Sequence, residues 1–175
     1  MIRASGEECR AVLAGDDLIE SPKLNTTHAI TIEGGCETVW PWVVQIGQGR
    51  GGFYSHTALE NLLGCRMKNA DRIHPEWQQV EVGDSVHLHP KASPLRVASI
   101  EPNAHLVLQS TSGFPWTWSF VLTSVPTGCR LLVRTRILWS NSVLGALIWP
   151  VMVPGHYVME RRMLMGIRSR VLKDQ

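Results

Sequence analysis

The apolar and polar positions change period along the chain, and those changes mark its elements. Residues 1–24 are polar, contain Gly and Ser21-Pro22, and lack strong periodicity, which predicts an N-terminal arm. Thr26–Glu33 alternates. His28, Ile30 and Ile32 fall on one face, and Thr27, Ala29, Thr31 and Glu33 on the other, as in a half-buried strand that Gly34-Gly35 ends. Cys36–Ile46 reads as a helix starting near Thr38, which puts Pro41 in a first turn where a missing N–H is tolerated. The run Gly47–Gly52 separates it from a second short helix, His56–Leu63, with Leu59, Leu62 and Leu63 on one face and Gly64 as its stop. Residues 65–81 are mixed and irregular.

Strand-like runs then succeed one another: Ser85–His89, Leu95–Glu101, His105–Gln109, Thr117–Val125 and Arg130–Leu138. Pro90, Pro94, Pro102-Asn103, Gly113, Pro115 and Pro126-Thr127-Gly128 punctuate them. Strands repeating at roughly ten residues with turn signals between them predict an antiparallel meander rather than βαβ units. His156–Lys173 returns to a helical period, with Met159, Met163 and Ile167 at i, i+4 and i+8 and Arg161, Arg162, Arg168 and Arg170 on other faces. The order predicts an α+β domain over residues 25–175, in which a curved antiparallel sheet of about six or seven strands wraps on the C-terminal helix. A helix across a curved sheet leaves a pocket, and Trp118, Phe120 and Leu122 alternate onto one strand face and can line it.

Three stretches carry a resemblance: HAITIEGGCETVWPWVVQIGQGRGGFYS, NLLGCRMKNADRIHPEWQQVEVGDSV and GHYVMERRMLMGI. Together with the element order they resemble the SRPBCC superfamily, the START-like, polyketide cyclase/dehydrase group with the helix-grip fold, and within it a bacterial, largely actinobacterial branch. There the pattern near Trp40–Tyr54 reads VWPWLVQMGQGRGGFYSY, and NADRI-x-PEWQ-x-L-x-VGD matches Asn69–Asp84. The likeness covers residues 26–170 and departs from the pattern at His56, where Tyr is usual, and at His87 and His89. It implies the helix-grip fold and a hydrophobic cavity. It implies no particular substrate, since the branch motifs are tied to no established reaction.

Composition narrows the classes. At 175 residues the chain fits one domain, and 44% hydrophobic with 18% charged residues excludes intrinsic disorder. A net charge of +2 without a long basic run excludes a nucleic-acid partner. Seven Trp suit a lined cavity or a contact surface. Trp40 and Trp42, two apart on one helix, cannot both face the core. Cys9, Cys36, Cys65 and Cys129 form no C-x-x-C pair and read as reduced thiols of a cytoplasmic protein. Acidic residues in the first twenty positions argue against a signal peptide. Ile137–Met159 lacks charge, but Ser140-Asn141-Ser142, Pro150 and Pro154 interrupt it. The expectation there is no transmembrane span. Instead a strand end, a turn and an apolar lead-in precede the last helix, with residues 143–153 suited to peripheral membrane or partner contact.

The chemical candidates are few. GQGRGG at Gly47–Gly52 is formally G-x-G-x-x-G, with Asp71 about twenty residues on, but dinucleotide binding needs a strand before it, a helix after it and a parallel sheet. A tight connection is expected instead, with Arg50 placed to read a carboxylate, and no cofactor. His87 and His89 share a strand face, yet no third ligand is indicated, so a solvent-facing pair and no metal are expected. No G-x-S-x-G and no Cys–His signature occurs. Asp71, Glu76, His156 and Glu160 remain for acid–base work. Asp71 and Arg72 read as a pair or loop cap, and Glu160 beside Arg161-Arg162 as a surface ion pair. His156 is the single catalytic candidate, because its position faces the cavity mouth in the fold that the resemblance implies.

The same placement nominates Trp42, Tyr54, Arg72, Trp118, His156, Met159 and Met163 as the border of one internal pocket. The expected function is binding of a small hydrophobic, lipid- or polyketide-like molecule by a monomer or homodimer. A cyclase/aromatase- or dehydratase-type enzyme is the alternative, and a stress-related or membrane-peripheral interaction module the next.

Overall fold

The computed structural model describes residues 2–62, 64–139 and 143–174, without the side chains of 143–152. The alternating runs become six strands: β1 (Leu24–Ile32), β2 (Ser85–Val86), β3 (Leu95–Glu101), β4 (His105–Ser110), β5 (Trp116–Val125) and β6 (Gly128–Ile137). They form one antiparallel sheet in the order β1-β6-β5-β4-β3-β2. The meander thus closes back so that β1 pairs with β6, with His28 opposite Val133 and Ile30 opposite Leu131. A register shift between Val97 and Ser99 interrupts the β3–β4 pairing, and such irregularities bend a strand.

Side-chain parity gives the sheet two unlike faces. The concave face carries Ile30, Ile32, Leu108, Trp118, Phe120, Leu131 and Val133, all buried in the main core. Across it lies α4 (Val143–Val171), whose Met163, Leu164, Ile167 and Val171 repeat at helical spacing and are buried in the same core. Burying each such side chain contributes about 1.5–3 kcal/mol. Gly166 is where α4 comes nearest: a Cβ there would overlap the carbonyl of Tyr54. Between strand and meander lie α2 (Cys36–Val44) and α3 (Thr57–Leu62).

Several expectations need correction. α4 begins at Val143, not His156, so the apolar lead-in expected before the last helix is itself helical, while β6 ends at Ile137, as expected. Peripheral contact through 143–153 falls largely on side chains outside the described residues. Among the described residues no helix is long and apolar enough to cross a membrane. α2 starts at Cys36, two residues earlier than expected, capped by Gly35, whose carbonyl accepts from both the N–H and the hydroxyl of Thr38. Pro41 is therefore inside the helix, where it removes one donor. β2 stops at Val86, because Gln48 N–H claims the His87 carbonyl and His89-Pro90 turns the chain; His87 is exposed and His89 half-buried. Cys36 and Cys129 are not free thiols but a disulfide that ties the start of α2 to β6, with Cα atoms 5.0 Å apart. They are 93 residues apart in sequence, and only the β1–β6 closure brings them together. Cys9 and Cys65 are free.

The residues before β1 are ordered against the convex face. α1 (Gly6–Arg10) is a single turn and a half with a capping box, Ser5 Oγ accepting from Glu8 N and Glu8 accepting from Ser5 N. A 3-10 turn follows at Asp16–Leu18. Three convex-face arginines of β6 hold this segment. Arg134, 2% exposed, donates to the carbonyls of Ala11 and Glu8 (both 2.7 Å) and Cys9 (3.1 Å), to Thr27 Oγ1 (2.9 Å) and to Asp16. Arg130 pairs with Glu8 and Arg136 with Asp16. Gly15, at φ 86°, lies so close to Val107 and Ser119 that a Cβ would collide with both. The convex face is thereby covered by chain that its own sequence pattern leaves unassigned.

Candidate functional site

Parity along β1, β5 and β6 places His28, Trp118 and Thr135 on the concave face, where the α4 stripe meets them. The stripe is not wholly apolar. Glu160, 2% exposed, lies one turn before Met163, and its carboxylate meets four donors. His28 Nδ1 lies 2.6 Å from Oε2. Trp118 Nε1 (2.9 Å) and Thr135 Oγ1 (2.8 Å) donate to Oε1, and His156 Nε2 lies 3.1 Å from the same oxygen and 3.0 Å from Thr135 Oγ1. The expectation of a surface ion pair for Glu160 is overturned. Its neighbours Arg161 and Arg162 are exposed on another face, 100° and 200° around the helix, while Glu160 turns inward.

Burial alone would raise the Glu160 carboxyl. Hydrogen bonds and charge from His156 and His28 outweigh that and hold it at about 2. An ionised carboxylate only accepts, so both contacting imidazole nitrogens carry protons. His156 keeps 23% of its side chain accessible, which makes it the member of the cluster that meets a solute. Tyr157 packs edge-on against His28 with ring centroids 4.9 Å apart. Two donors beside the cluster are buried without a partner among the described residues: Thr26 Oγ1, whose residue pairs with Thr135, and the indole N–H of Trp116, which stacks on Trp118 at 6.3 Å.

The seven nominated pocket residues divide. Trp118 and His156 come together at this end of the concave face, and Met159, half-buried one residue before Glu160, meets Ser55 instead. The Met159 carbonyl accepts from Ser55 Oγ at 3.0 Å, which fixes α4 against the loop before α3. Trp42, Tyr54 and Met163 are 1–2% exposed and pack as core. Tyr54 is an edge-to-face partner of Trp42 at 5.7 Å, donates its hydroxyl to the Trp42 carbonyl at 3.0 Å, and lies under the Arg170 guanidinium at 4.7 Å. Burial pushes its phenol up. Arg72 does not join either group. It is exposed and lines a separate half-open pocket of about 540 Å³, because residues 66–78 run outside α2 rather than over the concave face.

Sequence reasoning missed Glu160 as a buried group, and with it His28 and Thr135. One signal was available: His156 and Glu160 stand four apart on a helix, so they share a face with the Met stripe. It also missed Glu60, a buried carboxylate of α3 whose two oxygens have no hydrogen-bond partner among the described residues and which burial pushes up to about 7.

No family model matches the sequence, and no curated protein matches it. Solved structures do. The chain is similar to Bacillus halodurans protein BH1534 at 16% identity, over 86% of this chain and 99% of that one, with a TM-score of 0.52. The fold is the helix-grip fold. Similarity extends to the Polyketide_cyc-like protein Cgl2372 from Corynebacterium glutamicum (16% identity, 85% and 87% coverage, TM-score 0.39). It extends also to the Aha1 dimer from Colwellia psychrerythraea (14%, 75% and 92%, 0.42). These likenesses concern architecture, and the resemblance in sequence agrees with them on the fold.

Proposed function

We propose that the chain binds a small, largely apolar molecule carrying an oxygen at one end, seated against the concave face beside α4, with the Glu160 cluster as its polar end. The observation that carries this reading is the pair of orphaned donors, Thr26 Oγ1 and Trp116 Nε1, next to a fully partnered buried carboxylate on an otherwise apolar surface. A buried donor without a partner costs about 1–3 kcal/mol, and a ligand carbonyl or hydroxyl relieves it. Trp116, half-buried and stacked on the buried Trp118, offers a flat surface to the rest of the molecule. A lipid- or polyketide-like compound has that composition, apolar over most of its surface with oxygens at intervals.

The test is direct. Tryptophan fluorescence is titrated with 1,8-dihydroxyanthraquinone, as a flat hydroxylated probe, and with palmitate, as a flexible one. Quenching that saturates for the anthraquinone, and weakens in Trp118→Phe and His156→Ala, supports the reading. Absence of saturable binding by both probes overturns it.

A second reading, an acid–base enzyme of the cyclase/aromatase type, is favoured by one contact. A partly accessible imidazole oriented by a buried carboxylate, as His156 is by Glu160, has the geometry of a positioned general base or acid. On that reading His156→Ala would abolish turnover of a polyketide-like probe while leaving its binding within a few-fold.

A further inference from the structure

The Gly-rich loop Gly47–Gly52 is not absorbed by the concave-face reading. It folds into a tight hairpin closed by a bridge between Gly47 and Gly52, and together with residues 66–77 it walls the half-open pocket of about 540 Å³ on the outer side of α2. The charge lining that pocket is one-sided. Arg50, Arg66, Lys68 and Arg72 face one carboxylate, Asp71, in a chain whose total excess is only +2. Arg66, Lys68 and Arg72 form no ion pair with a described carboxylate.

The walls are stitched by buried and half-buried polar groups. Gln45, fully buried, donates to the Arg72 carbonyl at 3.2 Å and accepts from His74 N at 3.1 Å. Arg50 Nη2 bridges the carbonyls of Val44 (3.2 Å) and Trp77 (2.6 Å). Ala70 N donates to Gly51 O at 2.9 Å, and Asn69 accepts from Tyr54 N at 2.7 Å. Irregular chain tied this firmly sets where the backbone roots of its cations lie, which lowers the entropy of ordering the loop on a ligand. Trp77 stacks on His74 at 4.0 Å and forms part of the rim.

We propose that this pocket is a second binding site, independent of the concave face, for a soluble phosphate ester bearing more than one negative charge. Four cations exceed what a single carboxylate needs, and planar guanidinium forks match phosphate oxygens. The volume exceeds that of a bare phosphate and falls within the small-molecule range of about 300–1,000 Å³. Trp77 then sits where the organic part of the ester would leave the pocket.

Isothermal titration calorimetry of the full chain with inorganic pyrophosphate and with ATP tests this. Both are expected to bind, ATP the tighter, with affinity falling as salt rises. Lys68→Ala and Arg72→Ala, whose side chains serve no wall contact, should each weaken binding about tenfold, the size of one lost charge-assisted contact. Asp71→Asn, which removes the lone carboxylate, should tighten it. Binding that ignores all three substitutions overturns the site. So does association with vesicles of phosphatidylcholine and phosphatidylinositol 4-phosphate in the absence of any response to pyrophosphate or ATP, since that would make the patch a membrane-surface reader instead. Circular dichroism of each variant confirms that the fold is kept before affinities are compared.

Discussion

Replacing Glu160 by Gln is the most searching perturbation of the concave-face cluster, because it keeps the volume and removes the charge. The wild-type carboxyl sits at about 2 in the folded chain against an ordinary 4.5. At about 1.4 kcal/mol per pH unit, that gap corresponds to about 3 kcal/mol of stability. A folded value below the unfolded one means that this contribution is complete above about pH 4.5 and is lost as the pH falls through that value toward 2. The amide in Glu160→Gln has one acceptor oxygen for four donors and turns its own N–H groups toward at least one of them. The expected loss at pH 7 is therefore about 3–5 kcal/mol, the range for breaking a buried charge pair from one side. Urea unfolding followed by circular dichroism at pH 7, 5, 4, 3 and 2.5 measures both proteins. Glu8, which its hydrogen bond to Arg130 holds below the usual range, titrates in both and cancels in the difference. The wild-type advantage should shrink by about 3 kcal/mol as the pH falls from 5 toward 2. A difference that stays level across the whole range would show that Glu160 does not act as a buried carboxylate held by histidines, and the reasoning would fail.

Two further outcomes follow from the other buried contacts. Arg134→Met should cost about 3–5 kcal/mol, because it leaves three carbonyls without their donor and Asp16 with Arg136 as its remaining cation, and should loosen the α1 segment so that trypsin cleaves faster after Arg10; unchanged cleavage after Arg10 would mean that the N-terminal segment is held by something other than Arg134. Thiol titration of the unreduced, denatured chain should count two reactive groups, Cys9 and Cys65, and four after reduction, with the reduced protein less stable by about 2–5 kcal/mol; four thiols before reduction would refute the Cys36–Cys129 bridge.

The strands were legible because each shows one face to the core and one to polar surroundings. The parity read at His28, Ile30 and Ile32, and at Trp118, Phe120 and Leu122, is the parity found. The two ends of the chain were less legible for different reasons. The N-terminal segment has no hydrophobic period since it binds through backbone carbonyls, and the information lies 123 and 126 residues away in Arg134 of β6. Those arginines alternate with Leu132 on a strand whose convex face looks solvent-facing in sequence. The disulfide was invisible for a related reason: a pairing across 93 residues depends on which strand closes the sheet, and no local spacing encodes that.

The site was half legible, and the missing half follows from how charge is read in a sequence. A carboxylate followed by two arginines looks like an exposed pair, and on average that is right. Position around the helix decides otherwise here. Glu160 is four residues after His156, three before Met163 and seven before Ile167, so it belongs to the buried stripe, whereas Arg161 and Arg162 do not. A buried anion at that position requires donors from whatever it faces. The concave residues at that level are His28, Trp118 and Thr135, each of which alone reads as an ordinary strand residue. The chemistry of the site is therefore a property of the helix–sheet register rather than of any motif. A shift of α4 by one residue would leave the apolar packing partly satisfied but bury Arg161 or Met159 where the histidines now find a carboxylate. The same cluster that could hold a ligand's oxygen thus also selects the register in which α4 docks.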